Sequence, residues 1–179
     1  GLVYNNIRFE FSDIDQASAF ATLFTGSNPC FSGIAGDKTF DFEKEKEVSI
    51  LNDPEYLGNY TKENYSPKNL FSSTIGDELK ISSQGRSDVY SIAPDAESAI
   101  LSAGHAANGA FWMDNTNGKW ATTTYYKGIP WYVDRYNNGP ESLASRLETM
   151  VWTPTLPMEK YDAFPYVLDD LPFRYTFCL

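Results

Sequence analysis

Between Ser66 and Tyr126 the hydrophobic pattern passes from a helical period to an apolar run, then to a small-residue helix and a pair of β-prone arms. A chain that alternates in this way is committed to helices packed on a sheet, because each element must bury one face against another layer. Residues 68–83 predict a helix with Phe71, Ile75 and Leu79 at successive i+4 positions on one face, ended by Gly85. SDVYSIA (87–93) predicts a short buried strand that Pro94 terminates. Ala96–Ala103 predicts a second helix before Gly104, and FWMD-NTNG-KWATTTYY a hairpin around an Asn/Gly turn.

The flanks fit the same class. Residues 2–11 alternate through Val3, Ile7, Phe9 and Phe11 and predict a strand. Ser12 or Asp13 would cap the run IDQASAFATLF, a small-residue helix stopping at Gly26. SNPCFSGIAGD predicts a loop, the charge run FEKEKEV (42–48) a solvated edge strand or loop face, and LNDPEYLGNYTKENYSP an ordered surface loop. Beyond Ile129 aromatics alternate with prolines around one helix at Pro140–Glu148. The reading is a single α/β domain or section over 1–179, with 42–66 and 110–179 forming an aromatic, cap-like lobe. Strands this short call for another strand between them, which points to a larger fold.

Composition narrows the function. The net charge is −10 with pI near 4.5, and the 14 Lys and Arg form no stripe, so nucleic acid is not an expected partner. No run of about 18 apolar residues would span a membrane, and GLVYNNIRFEF lacks the pattern of a signal peptide. Cys30 and Cys178 follow no metal spacing and are expected as two buried free thiols rather than a disulfide. His105, the single histidine, is expected to be structural, and one imidazole cannot assemble a two-zinc site. Asn59-Tyr60-Thr61 and Asn64-Tyr65-Ser66 match the glycosylation triplet.

Asp95 and Glu97 follow directly on a strand end, where open α/β sheets bind ligands; a carboxylate pair there either suits acid–base work or a hard cation, or is an i, i+2 loop pair that simply stands in solvent. Thr25 and Ser27 lack the G-x-S-x-G context of a serine hydrolase and read as helix-end hydroxyls. Trp112, Trp120, Tyr125, Tyr126, Trp131 and Tyr132 form either a mini-core or a stacking surface for a small-molecule or glycan ligand.

The succession TGSNP-x-x-SGIAGD, SPKNLFSSTIGDELK, AILSAGHAANGAFWMD-x(4)-GKW-x(3)-YY and PW-x(4)-YN resembles the alkaline phosphatase superfamily. Within it the likeness is to the type I phosphodiesterase/nucleotide pyrophosphatase branch and the bacterial phosphate-irrepressible alkaline phosphatases. The resemblance implies a partial alkaline-phosphatase-like sandwich and a phosphoester hydrolase with two zinc ions. It also implies a Thr or Ser nucleophile, an Asn and a Lys-x-Arg pair on the phosphate, and export to the periplasm or beyond. The zinc ligands of such relatives are expected outside these 179 residues, so no metal ligand is assigned here.

Counting nine residues back from Thr25, the nucleophile position falls on Gln16, with Ser18 as an alternative nucleophile two positions away. The Asn position falls on Asp37, and the Lys-x-Arg pair on Asp95 and Glu97. With Trp112, these are the expected binding residues. A phosphoryl dianion needs donors and cations, and these positions offer carboxylates. The expectation is a catalytically defective phosphatase-like protein. The alternatives are a zinc-dependent hydrolase at full length, or a carbohydrate-binding or surface-interaction module.

Overall fold

The computed structural model describes residues 1–12, 14–42, 44–152 and 175–176. It divides into one unit of Gly1–Asp114 with Trp120–Pro130, and a second of Asn115–Lys119 with Trp131–Leu179.

In the first unit, α1 (Gln16–Thr25) starts at an Asp15 N-cap, whose side chain accepts the Ser18 N–H, and stops where Gly26 turns left-handed at φ 68°. The expected cap at Ser12 does not form and Asp13 lies outside the described residues; Asp15 is the better cap because Ser18 stands three positions on and completes a capping box. The loop that follows contains one short helix, α2 (Pro29–Ser32), started by a proline at its first turn. The charge run builds a small antiparallel hairpin of β1 (Lys38–Asp41) and β2 (Lys46–Ser49), in register Lys38↔Ser49 to Asp41↔Lys46. After β3 (Gly58–Asn59), α3 (Ile75–Ser82) opens on a Thr74 cap. Then come β4 (Tyr90–Ala93), α4 (Ala96–Ala103), β5 (Gly109–Asp114) and β6 (Lys119–Thr123).

The sheet runs β3-β6-β5-β4. β4 pairs in parallel with β5, Tyr90↔Gly109 through Ala93↔Trp112, and β3 pairs antiparallel with β6. The β4–α4–β5 crossover lays α4 on one face of the sheet, over Ala110, Trp112 and Ala121. α1 packs on α4 through Ala17, Ala21, Ala99 and Ala103, all fully buried; side chains this small let the two helices come close. Ile34, Leu51, Leu70, Ile100 and Leu101 complete the core. Both sides of the sequence's fold expectation hold here: the class is α/β, and the hairpin forms where the Asn/Gly turn places it.

Several expectations are corrected. Residues 2–11 form no strand; Leu2, Val3, Tyr4 and Ile7 stand exposed and Phe9 and Phe11 are only partly covered, with no neighbouring strand to pair with among the described residues. The helix expected over 68–83 begins only at Ile75, because Pro67 and the Thr74 cap hold the preceding residues in turns. Its apolar ridge does not face the core: Phe71 is 77% and Ile75 71% exposed. Cys30 is exposed rather than buried, while Cys178 lies outside the described residues. The Asn59 side-chain nitrogen is buried, which closes the first glycosylation triplet.

In the second unit, α5 (Trp131–Asn137) is followed by α6 (Leu143–Thr149), capped by Ser142 close to the expected start. β7 (Val151–Trp152) pairs antiparallel with β8 (Tyr175–Thr176). Of the run VWTPTLP only Val151 and Trp152 are described, and the whole of FPYVLDDLPF falls outside the described residues.

Candidate functional site

Two N-caps meet at the end of the sheet. Asp15 begins α1 and Asp95 begins α4; both elements point their first turns to the same place because α1 rests on α4. Gln16, the first residue of α1, is exposed and reaches across to α4. Its amide nitrogen donates to Asp95 Oδ2 at 2.6 Å and to Ser98 Oγ at 2.7 Å. Asp95 in turn accepts from the Ser98 N–H at 2.8 Å and its hydroxyl at 3.1 Å. Residues 79 positions apart are thereby joined side chain to side chain.

Asp37 comes to the same corner through its backbone, its N–H donating to Asp15 Oδ2 at 2.6 Å. Burial pushes the Asp15 carboxyl up, but the N–H groups of Ser18 and Asp37 and the Ser18 hydroxyl outweigh it and hold the group below the usual carboxylate range. Glu97 is half-buried on the first turn of α4. Burial raises its carboxyl, and Asp95, Asp37 and Glu63 raise it further by like-charge repulsion. Tyr65, beside Glu63 and Glu97, is pushed up to about 12 by burial and by those charges.

Ser18 does not open onto this corner. It is 0% exposed, and its hydroxyl accepts from the Asp15 N–H at 3.1 Å while donating to the Asp15 carbonyl at 3.2 Å. The expectation of Ser18 as an alternative nucleophile is thereby corrected: the hydroxyl is spent on the helix cap. Trp112 is also corrected as a binding surface. At 3% exposure it packs in the core beneath α4, its ring 6.4 Å from that of Tyr65, and has no face free to stack on a ligand. Trp131 and Tyr132 are exposed on α5, edge to face at 5.9 Å.

His105 belongs to a separate cluster. Asp77 accepts from the Thr74 N–H, the His105 and Ala106 N–H groups and the Thr74 hydroxyl at 2.7–3.0 Å, with His105 Nδ1 at 3.4 Å. Tyr126 OH donates to the Gly104 carbonyl at 2.8 Å and Tyr125 OH to that of His105 at 3.2 Å. This cluster ties the loop after α4 to the start of α3, the structural role expected of His105. Thr25 likewise serves its helix end, its hydroxyl donating to the Ala21 carbonyl at 2.6 Å.

Asp15, Ser98 and Asp77 were not singled out from the sequence. Each had a signal: Asp15 and Thr74 stand three residues before a partner that completes a cap, and Asp95 stands three before Ser98. Among the described residues no three His, Cys, Asp or Glu side chains gather to hold a metal. These residues therefore do not by themselves fit zinc. No helix among them is long and apolar enough to cross a membrane.

No family model matches the chain. It is 34% identical over 166 residues to the alkaline phosphatase PafA of Elizabethkingia meningoseptica, covering 90% of this chain and 30% of that protein. To the alkaline phosphatase PhoV of Synechococcus elongatus it is 31% identical over 175 residues, covering 93% and 32%. To a calcium-transporting ATPase of Myroides odoratus it is 33% identical over 165 residues, covering 90% and 30%. The crystal structure of wild-type PafA matches with a TM-score of 0.70 at 35% identity, over 82% of this chain and 29% of that one. A PafA variant altered at a threonine, an asparagine, a lysine and an arginine matches equally well. The chain thus spans about a third of the length of these relatives.

Proposed function

This chain is a relative of the alkaline phosphatase superfamily over about a third of those proteins' length, and from that premise we propose that it is phosphatase-like but defective in phosphoryl transfer. The observation that carries the proposal is the hydrogen bond from Gln16 to Asp95. It joins the expected nucleophile position to the first position of the expected Lys-x-Arg pair, and neither side chain has the chemistry that position needs.

The spacing supports the positions. The threonine and asparagine altered in the PafA variant are twenty-one residues apart, as Gln16 and Asp37 are. Its lysine and arginine are two apart, as Asp95 and Glu97 are. An amide is a poor nucleophile, and here its nitrogen is already committed to two acceptors. A phosphate entering the corner meets Asp37, Asp95 and Glu97. At an effective dielectric near 20, unit charges about 4 Å apart interact by roughly 4 kcal/mol, here with the sign of repulsion. Solvent screens the exposed Asp37 most. Asp95, Asp37 and Glu63 all act on Glu97 by like-charge repulsion, which supports a corner of negative potential.

A ligand suited to this corner is small and neutral or cationic. Any zinc would need ligands outside the described residues, and export from the cytoplasm comes with the resemblance. The second reading, a working hydrolase at full length, draws on the alkaline phosphatase names of PafA and PhoV.

Tungstate titration by calorimetry tests the proposal on the chain and on a variant carrying D37N, D95K and E97R. The expected result is no saturable binding to the unaltered chain and measurable binding to the variant. Saturable binding by the unaltered chain overturns it. So does zinc-dependent release of nitrophenol from nitrophenyl phosphate, by the longest gene product containing the chain, that Gln16→Ala abolishes.

A further inference from the structure

We propose that the cleft beside the C-terminal end of α1 binds a small zwitterion with an apolar side chain, a free amino acid or a dipeptide. It lies at the other end of that helix from Gln16, roughly 14 Å away at about 1.5 Å per residue. The proposal does not depend on whether the corner at Gln16 is active.

The cleft measures about 420 Å³, within the range of small-molecule sites, and lies wholly in the first unit. Arg8, Phe9 and Glu10 line it from the N-terminal segment, Thr22 from α1, and Asn28 and Phe31 from the start of α2. The α2 wall is fixed: the Ser32 carbonyl accepts the Phe71 N–H at 2.8 Å, and the Phe31 carbonyl accepts the Ser72 hydroxyl at 3.2 Å. Asn28 stands at the N-cap of α2, yet its side chain makes no cap hydrogen bond. Its amide nitrogen donates instead to Glu10 Oε2 at 3.2 Å, which ties the two walls together. Asn28 Oδ1 and Glu10 Oε1 are left as acceptors with no donor among the described residues. Arg8 is exposed and pairs with no carboxylate among them. The Thr22 hydroxyl oxygen is buried without a partner, whereas that of Thr25 donates to the Ala21 carbonyl. A helical Thr has two accessible χ1 rotamers, and a turn of Thr22 toward the cleft gives its hydroxyl a ligand partner.

The charges select the ligand. The Arg8 guanidinium is suited to a carboxylate, which it holds by two parallel hydrogen bonds. Glu10 Oε1 and Asn28 Oδ1 are suited to an ammonium group, and so are the last carbonyls of α1, a helix with no basic residue in its last turn. A simple anion would meet Glu10 and the negative end of the helix, and a simple cation would meet Arg8. A ligand that carries both charges answers both. Phe9 and Phe31, the latter 71% exposed, offer apolar area to its side chain. A neutral sugar is the weaker fit, because it would leave the guanidinium and the carboxylate without counter-charges.

Calorimetry on the 179-residue chain tests this with the dipeptide leucyl-phenylalanine, its N-acetyl form and its C-terminal amide. The expected result is saturable binding of the dipeptide, weakened at least about tenfold by either blocking group, a readout that needs no substitution. Arg8→Gln should cost the dipeptide at least about tenfold and bring it level with its amide; Glu10→Gln should bring it level with the acetyl form. Phe31→Ala should weaken leucyl-phenylalanine at least about threefold through lost apolar contact. All three residues are exposed, so the variants are expected to keep the Tm of the chain. No saturable binding at millimolar dipeptide overturns the proposal, as do equal affinities for the free and blocked forms. Dipeptide binding that survives Arg8→Gln and Glu10→Gln but is lost in Gln16→Ala would overturn it and give the ligand to the other end of α1. Binding of glucose but not of the dipeptide, abolished by Phe31→Ala, would give the cleft to a sugar instead.

Discussion

Asp77 stays ionised although it is buried, because every donor around it faces the carboxylate. Burial pushes its carboxyl up, but the His105 side chain, the Thr74 and Ala106 N–H groups and the Thr74 hydroxyl together hold it far below the usual range. Asp77→Ala would leave those N–H groups without acceptors, at a cost of about 3 kcal/mol that chemical denaturation would measure. His105 moves the other way: its hydrogen bond to Asp77 raises it, burial opposes, and the raising effects win. The signs fix the pH window. The Asp77 contribution is present above its unfolded value near 3.8 and is lost as pH falls through the lower folded value. The His105 contribution is complete below about 6.5 and is lost as pH rises through its raised folded value. Tm followed by circular dichroism should therefore decline on both sides of this window. His105→Asn should shrink the alkaline decline and keep the acidic one; a variant whose alkaline decline is undiminished would deny the pair its role.

The elements that were legible in the sequence are those whose signals are local. α1 and α4 carry their caps, their small residues and their terminal glycines within a few positions, and β5 and β6 carry their turn between them. The packing of α1 on α4 makes a sharp prediction. Ala21→Leu, at a fully buried contact, should cost about 1–3 kcal/mol through overpacking, whereas Leu23→Ala, on the exposed side of the same helix, should change stability by less than about 0.5 kcal/mol. Gly104 is equally constrained. At φ 73° a Cβ there would strike Thr74 Oγ1 and Asp77 Oδ2, so Gly104→Ala should cost about 3 kcal/mol or more, read as loss of Tm. What the sequence misjudged depends on partners. The i+4 ridge of Phe71, Ile75 and Leu79 reports an apolar face truly, but periodicity cannot say whether the layer that covers it is among these residues. The same holds for β4, read as buried and found half bare. Trp131–Asn137 was missed because Trp, Tyr and Val are weak helix formers and stand directly after Gly128 and Pro130.

At the scale of the molecule, the corner at Gln16 joins residues that no local pattern connects; only the resemblance put Gln16, Asp37, Asp95 and Glu97 in one place. Even so, it missed the caps at Asp15 and Asp95 that hold them there. A chain of net charge −10 places carboxylates at the N-caps of its two packed helices, Asp15 and Asp95, and adds Glu97 on the first turn of α4, where the helix dipole favours an anion. At Glu97 burial, with repulsion from Asp95, Asp37 and Glu63, outweighs that help and raises the carboxyl. A carboxyl whose folded value lies above its unfolded one costs stability as pH rises through that range, since the unfolded chain releases the proton more readily. Glu97→Gln keeps the shape and removes the charge. It should raise Tm at about pH 8 and leave it nearly unchanged at about pH 4, where both states hold the proton. A lower Tm at about pH 8 would mean that the Glu97 carboxylate has a cationic partner, and the corner would then be suited to an anion after all.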